Sequence, residues 1–516
     1  INTRNTVNRN GYILADGTTK DEADKSDADS GNNSSQIGAP NAEYGVNVAG
    51  NLDNTEGVIK GREITVNGRT DNNAGVLESS EGIVLNGNLD SNNKGTIKSN
   101  DITFNGSKIN NEKGFIQGSL NDINTKTFIN DNGVIITDKA LNIVSMTASN
   151  ANGEIYANGD VKVVSEKINN FAGLVSSTGN VDTKSTTFNN EKGDISANSK
   201  INIKSTEKLN NKEGNIESGE KVSVETEDLD NRKGNINSSE TEIDAKKLNN
   251  TEGKITGTET KVKSDSIDNV RGLIDGISQT TVKTDVLSNK DGKITSEGAV
   301  DLETPSDYVY EGTVEGKGLT SIKAKTITIN EAMNRSGALE LIAQNGVTLN
   351  NDVVSRILSI QTGSDFTNST DLKGNEYLSI VADNITNNGE LLSDELVYSK
   401  ADGRLLNTGR ISSLGESYLE GLEIENRRGM ILSTGSLTMI ADSLVRNNSG
   451  EIHSDIGIYS QVNNGRFENI GESTVELVEN TGEIQFSDTG KAGRDKLGKT
   501  RLPDSFRNVF NAAPGY

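Results

Sequence analysis

The chain's one histidine, His453, is where acid–base or nucleophilic chemistry would first be sought. A histidine-centred triad needs a nucleophile and an orienting acid converging on the ring. No such motif surrounds His453, which stands three places after Gly450, and it reads as solvated surface. No Gly-x-Ser-x-Gly, phosphate loop or His-Glu-x-x-His pattern occurs. The absence of cysteine excludes disulfides and thiolate metal sites. Asp27 and Asp29 alternate as in a calcium loop but lack the terminal bidentate Glu. Glycoside hydrolysis needs a carboxyl pair at a set separation, whereas the acidic residues here are scattered. Sugar-stacking platforms are few, with no Trp, ten Tyr and ten Phe. Lys192-Gly193-Asp194 has the form of an integrin-type adhesion tripeptide, but its glycine belongs to a repeat. The expectation is a protein that is not an enzyme and uses no cofactor or metal.

The repeat runs from Asn54 to Ile294: an apolar residue, one further residue, Asn, two variable residues, Gly, any residue, a branched apolar residue, any residue, a small one. Its asparagines are Asn54, Asn72, Asn92, Asn111, Asn130, Asn150, Asn170, Asn190, Asn211, Asn231, Asn250, Asn269 and Asn289. Three places after each stands Gly57, Gly75, Gly95, Gly114, Gly133, Gly153, Gly173, Gly193, Gly214, Gly234, Gly253, Gly272 or Gly292, at intervals of 18 to 21 residues. Two places after each glycine comes a branched apolar residue, from Ile59 and Leu77 to Ile294. Four places after comes only Gly, Ser, Ala or Thr, as at Gly61, Ala157 and Ser218. Most copies carry a large apolar residue five places before, such as Ile109, Phe128, Phe188 and Leu229.

Alternating apolar and polar residues around the branched position indicate a short half-buried strand. A second alternation, as in Ile201-Asn202-Ile203, indicates another strand of the same unit. Asn-x-x-Gly between them is a turn, since Asn and Gly both tolerate left-handed backbone angles. Short strands, tight turns and no helical period give an all-β fold, a parallel β-helix (β-solenoid) with rungs of about 20 residues. One rung buries too little apolar surface to offset its ordering entropy. Rungs must therefore stack, which sets the asparagines above one another as a side-chain amide ladder. At ~4.8 Å per strand, ~20 rungs would make an elongated rod on the order of 100 Å long.

Composition agrees with a thin, one-dimensional core. The apolar fraction is 31%, aromatics are 4%, and 54 glycines serve frequent turns. Pro40, Pro305, Pro503 and Pro514 all avoid the regular array, where proline would remove a ladder donor. A formal charge of −23 argues against nucleic acid and anionic membranes as partners. No signal peptide or long apolar run occurs, and the segment reads as a piece of something longer, monomeric by expectation.

In chain order, residues 1–50 read as irregular first rungs, with Gly11-Tyr12-Ile13-Leu14 as one rung and a polar acidic insertion near 16–37. Residues 51–300 are the regular array. Over 301–386 the phrase decays into irregular rungs around Pro305, Tyr308 and Tyr310. Over 387–486 it returns at Gly389, Gly409, Gly429, Gly450 and Gly482, with the Asn drifting between two and three places before Gly, as at Asn407 and Asn426. Residues 487–516 are partly basic and read as an exit segment toward a following domain.

The phrase and its period resemble the haemagglutinin repeat of the filamentous haemagglutinin family, which includes two-partner-secreted adhesins and effectors of contact-dependent growth inhibition. The resemblance covers most of residues 51–486. The tail from Arg501-Leu502-Pro503 through Phe506 to Asn511-Ala512-Ala513-Pro514 is similar to a Leu-Pro…Phe…Asn-x-x-Pro segment of that family, departing from it at Ala513. The resemblance implies a right-handed β-helical shaft at a bacterial surface, secreted and extracellular. Its tip would engage a target-cell receptor or glycan, and in some members it would carry a toxin. It also implies an outer-membrane secretion partner acting on a domain outside this segment. A receptor- or glycan-binding module in its own right and a β-helical polysaccharide-active enzyme are the alternatives.

Overall fold

The computed structural model describes residues 2–15, 37–38, 45–120 and 122–470, and the strand backbones 474–475, 477–480 and 483–486. Most of the 16–37 insertion, the 487–516 segment, Gly482, Asp27 and Asp29 lie outside the described residues. Among the described residues there is no helix, and every strand pairing with a resolved register is parallel. The protein is a β-solenoid wound from rungs of roughly 20 residues, in two compact units, Ile1–Thr295 and Ser296–Tyr516.

In the first unit, the rung after Asn170 serves as the pattern. The turn Asn170-Phe171-Ala172-Gly173 leads into strand Leu174–Ser177. A short bend follows, then Val181–Asn189, a long strand that kinks between Ser185 and Thr187 and so supplies a second and a third side. Val175, Val181, Thr183 and Phe188 point inward and alternate with outward polar residues. The period of two found in the sequence is this alternation.

Register is set rung by rung. Val175 lies opposite Ile195, Val181 opposite Ile201 and Phe188 opposite Leu209. The last pair is 21 residues apart because the partner strand takes up one extra residue at the kink. Variation in repeat length is thus absorbed at the corners, and the apolar columns stay aligned. The small residue four places after each glycine is the last inward position before the first corner. At several of the serines the hydroxyl binds corner backbone: Ser177 Oγ donates to the carbonyl of Gly159 at 2.6 Å and accepts from Gly179 N at 3.0 Å, whereas the Ser99 and Ser218 hydroxyls are buried without a partner.

The array begins earlier than its regular stretch. Asn2–Thr3, Thr6–Val7 and Tyr12–Ala15 form a rung that pairs with the one beginning at residue 45: Asn2 with Asn47, Thr6 with Leu52, Ile13 with Ile59. On its other edge, Ile13 pairs with Ile37. Ile37–Gly38 thus pair along the edge of Tyr12–Ala15 opposite Val58–Gly61.

In the second unit, the first strands stack Val353, Leu372, Leu391, Ile411, Ile431 and Ile452 in one column. The third sides stack Phe366, Ile385, Leu405, Ile424, Val445 and Phe467. The irregular 301–386 stretch keeps the pitch, with Tyr308, Ile327 and Val347 in register at steps of 19 and 20.

Candidate functional site

The residues singled out by the repeat form one continuous structure. Asn54 Nδ2 donates to Asn72 Oδ1 at 2.7 Å, Asn72 to Asn92, Asn92 to Asn111 and Asn111 to Asn130, each at 2.7 Å. The chain of amides continues through Asn150, Asn170, Asn190, Asn211, Asn231, Asn250 and Asn269 to Asn289 at 2.7–2.8 Å. It starts one rung earlier than the repeat suggested, at Asn8, which donates to Asn54 at 2.7 Å. Asn8 precedes Gly11 by three places, but the insertion sets it 46 positions before Asn54, so its period is hidden.

Each amide also closes its own turn. Asn170 Nδ2 reaches the carbonyl of Gly173 at 3.0 Å, and Asn150 does the same with Gly153 at 3.1 Å. These side chains are buried, most of them completely. A buried amide is tolerated only when bonded, and here the stack supplies the partners.

The turn does not use its asparagine and glycine for left-handed backbone. The left-handed residue is the one directly before the glycine: Glu56, Ala74, Lys94 and Ala172 have φ of 50–56°, and Lys192 has 59°. The glycine is needed for a different reason, the closeness of successive rungs. A Cβ on Gly173 would overlap the backbone oxygen of Asn150 and stand 2.6 Å from Asn170 Oδ1. Gly193 meets Asn170 and Asn190 in the same way.

Outside the amides runs a second ladder that the repeat consensus did not name. The residue before each ladder asparagine is Asp, Asn or Ser in every regular copy except at Ile129. In most copies its side-chain oxygen accepts the backbone N–H two places on, as in Asp53 to Thr55 at 3.2 Å, Asn189 to Glu191 at 3.2 Å and Asn249 to Thr251 at 3.0 Å. These are Asx turns. Asn189 and Asn210 also bond across rungs to Asn169 and Asn189, both at 3.0 Å. The signal was present in the sequence as a one-position preference beside a stronger one.

The second unit has its own amide ladder: Asn368, Asn387, Asn407, Asn426, Asn447 and Asn469, at 2.8–3.0 Å. The drift of Asn relative to Gly is therefore a change in turn length, not in the place of the amide. At the three steps before Asn368 the ladder position falls to Tyr310, Ile329 and Leu349. Beside Tyr310 lies the buried Arg335, on the small-residue column between Gly316 and Ser355. Its guanidinium donates to Tyr310 Oη at 2.9 Å and to Thr320 Oγ1 at 3.0 Å. Tyr308 is buried with an unbonded hydroxyl.

Charged groups lie on the outer faces and pair from rung to rung. Lys204 meets Glu225 at 2.7 Å, Lys263 meets Asp244 at 3.1 Å, and Lys221 meets Glu240 and Glu242 at 3.0 and 2.7 Å. Exposed pairs of this kind are worth about 0–1 kcal/mol each. Two carboxylates are more enclosed. Burial pushes the Glu425 carboxyl up, but hydrogen bonds from Arg427 and Arg404 outweigh it and hold the group below its ordinary value. Glu468 is held down in the same way by Arg446 and Arg466. Asp71 goes the other way, raised by burial and by the charges of Asp53 and Asp90.

His453 lies in strand Glu451–Ser454 and is exposed; its Nε2 is 2.9 Å from Asp455 Oδ1. Among the described residues no group of three or more His, Cys, Asp or Glu is arranged to hold a metal ion. Lys192-Gly193-Asp194 is turn and strand start, with Asp194 Oδ1 accepting from Asn215 Nδ2 at 2.9 Å. Tyr398 and Tyr418 stack on adjacent rungs, ring centres 5.4 Å apart at 18°. Burial, with Glu420 nearby, pushes both hydroxyls up to about 12. No protein-family model, curated protein or solved structure matches the chain.

Proposed function

We propose that this chain is a shaft segment of a large secreted bacterial surface protein, one that holds a receptor-binding or toxin-bearing region away from the cell for adhesion or contact-dependent inhibition. The observation that carries this reading is the unbroken amide ladder from Asn8 to Asn289. Fourteen rungs spend their most constrained residue on holding each other. Most variable positions are outward and polar, and many of their charges pair with the next rung, as suits a solvated spacer. The haemagglutinin-repeat resemblance supplies the secreted setting and the outer-membrane secretion partner.

Large apolar side chains exposed on the surface, such as Ile277, Leu414 and Ile456, sit at the corner that follows the first strand of their rungs, and Leu414 and Ile456 are two rungs apart. The stacked tyrosines Tyr398 and Tyr418 turn their ring faces to each other and are nearly buried, which favours a spacer over a glycan-binding module. The test is binding by the isolated chain. Fluorescently labelled protein, applied to glycan arrays and to bacterial and animal cells, is expected to show no saturable binding. Saturable binding competed by unlabelled chain would overturn the shaft reading in favour of the binding module.

A further inference from the structure

The interior of the first unit is loosened at one level. Along the third-side column, Phe128 and Phe188 are large, and between them stand Ala148 and Ile168. On the first strands Val175 lies between Ile155 and Ile195. On the second side Val163 and Thr183 lie between Ile143 and Ile203. Each column thus loses side-chain volume over the same two or three rungs. The flanking Ile195 and Ile203 are 1% and 2% exposed, but Ala148, Val163, Val175 and Thr183 are 7–9% exposed although they face inward. The space they leave is a cavity of about 30 Å³.

We infer that this cavity, bounded by Phe128 and Phe188, is a dry binding site for a single apolar guest of one or two heavy atoms. The volume is more than the ~10–15 Å³ that one water needs, but a buried water also needs two to four polar partners. Thr183 Oγ1 faces the cavity and has no partner. The nearest amides, on Asn150 and Asn170, already spend their N–H groups on the turn and on the next rung. One hydroxyl cannot hold a water, so an apolar occupant is favoured. A guest that binds the folded rungs and not the unfolded chain raises stability by mass action.

Xenon is the probe. The full chain, with methyl groups labelled, is titrated with xenon under pressure and followed by NMR. Saturable shifts confined to methyls around Val163, Val175 and Ala148 are expected. The paired substitution Val163→Ile and Val175→Ile should weaken xenon binding at least fivefold while melting no lower than the parent. Thr183→Val keeps the shape and removes the hydroxyl, and should bind xenon as well as the parent or better. The inference is overturned if the parent shows no saturable shift, or if the paired variant binds xenon unchanged or melts lower. Loss of binding in Thr183→Val would overturn it equally, by showing that the occupant depends on the hydroxyl.

Discussion

Two neighbouring residues of the turn are under opposite constraints. Gly173 has no room for a side chain because the backbone of the rung before it, at Asn150, passes so close. Ala172 has room but is held at φ 51°, a left-handed conformation that disfavours every residue with a Cβ by roughly 1–2 kcal/mol. Gly173→Ala should therefore destabilise the first unit by about 3 kcal/mol, at the upper end of overpacking effects. Ala172→Gly should stabilise it by about 1 kcal/mol once the added freedom of the unfolded chain is discounted. Urea unfolding of the two variants checks both signs. Equal signs would mean that rung closeness is not what fixes the glycine. The sequence displayed the glycine thirteen times but not its reason. Backbone angle and close approach both demand glycine, and only the spacing of the rungs tells them apart.

At the scale of strands, register decides which charges meet. Glu425 faces Arg446, and Arg446 faces Glu468, 21 and 22 residues apart. Arg404 and Arg427 both bind Glu425, and Arg446 and Arg466 both bind Glu468. Because both carboxyls are held below their ordinary values, they contribute stability that is fully present above the unfolded-state pKa. That stability is lost as pH falls through the lower folded value. Asp71 stacks on Asp53 and is raised, so it works in the other sense. Its penalty is present at neutral pH and disappears as pH falls from its raised value to the ordinary one. Hydrogen exchange from pH 7 to pH 3 should thus show strand Glu416–Arg427 loosening below the usual carboxylate range. Strand Thr70–Asp71 should first tighten slightly on mild acidification. Glu425→Gln should cost about 1.5–3 kcal/mol at pH 7 and flatten the acid-side loss. An unchanged pH profile in that variant would dismiss the network's role. None of this was legible beforehand, since outward positions vary freely in a repeat and the pairs form only once the register is known.

At the scale of the molecule, a stack of near-identical rungs should tolerate loss of a whole rung but not of half of one. Deleting residues 171–190 joins Asn170 to Glu191-Lys192-Gly193 and recreates a complete turn. That variant is expected to fold, with a urea m-value lower by roughly 5–10%, in proportion to the surface removed. Deleting residues 171–180 instead shifts every inward column out of register and should leave the first unit unfolded by circular dichroism. Failure of the twenty-residue deletion to fold would show that rungs are not interchangeable. The period was enough to anticipate this architecture, because side chains that recur every twenty residues have no other way to bury one face together.

What the sequence determined by itself was the rung: its length, its turn, its inward positions and the polar amide that must find a partner. These are local quantities, written in the residues that carry them. Contacts between rungs were decided only in the tertiary structure. Asn8 joins the ladder across a long insertion, Tyr310, Ile329 and Leu349 occupy its place farther on, and Arg335 fills a column otherwise held by small residues. The cavity between Phe128 and Phe188 arises because four modest reductions in side-chain size coincide at one level. Each is unremarkable in its own repeat, and only stacking adds them together, since packing depends on what lies one rung above and below and not on what lies next in the chain.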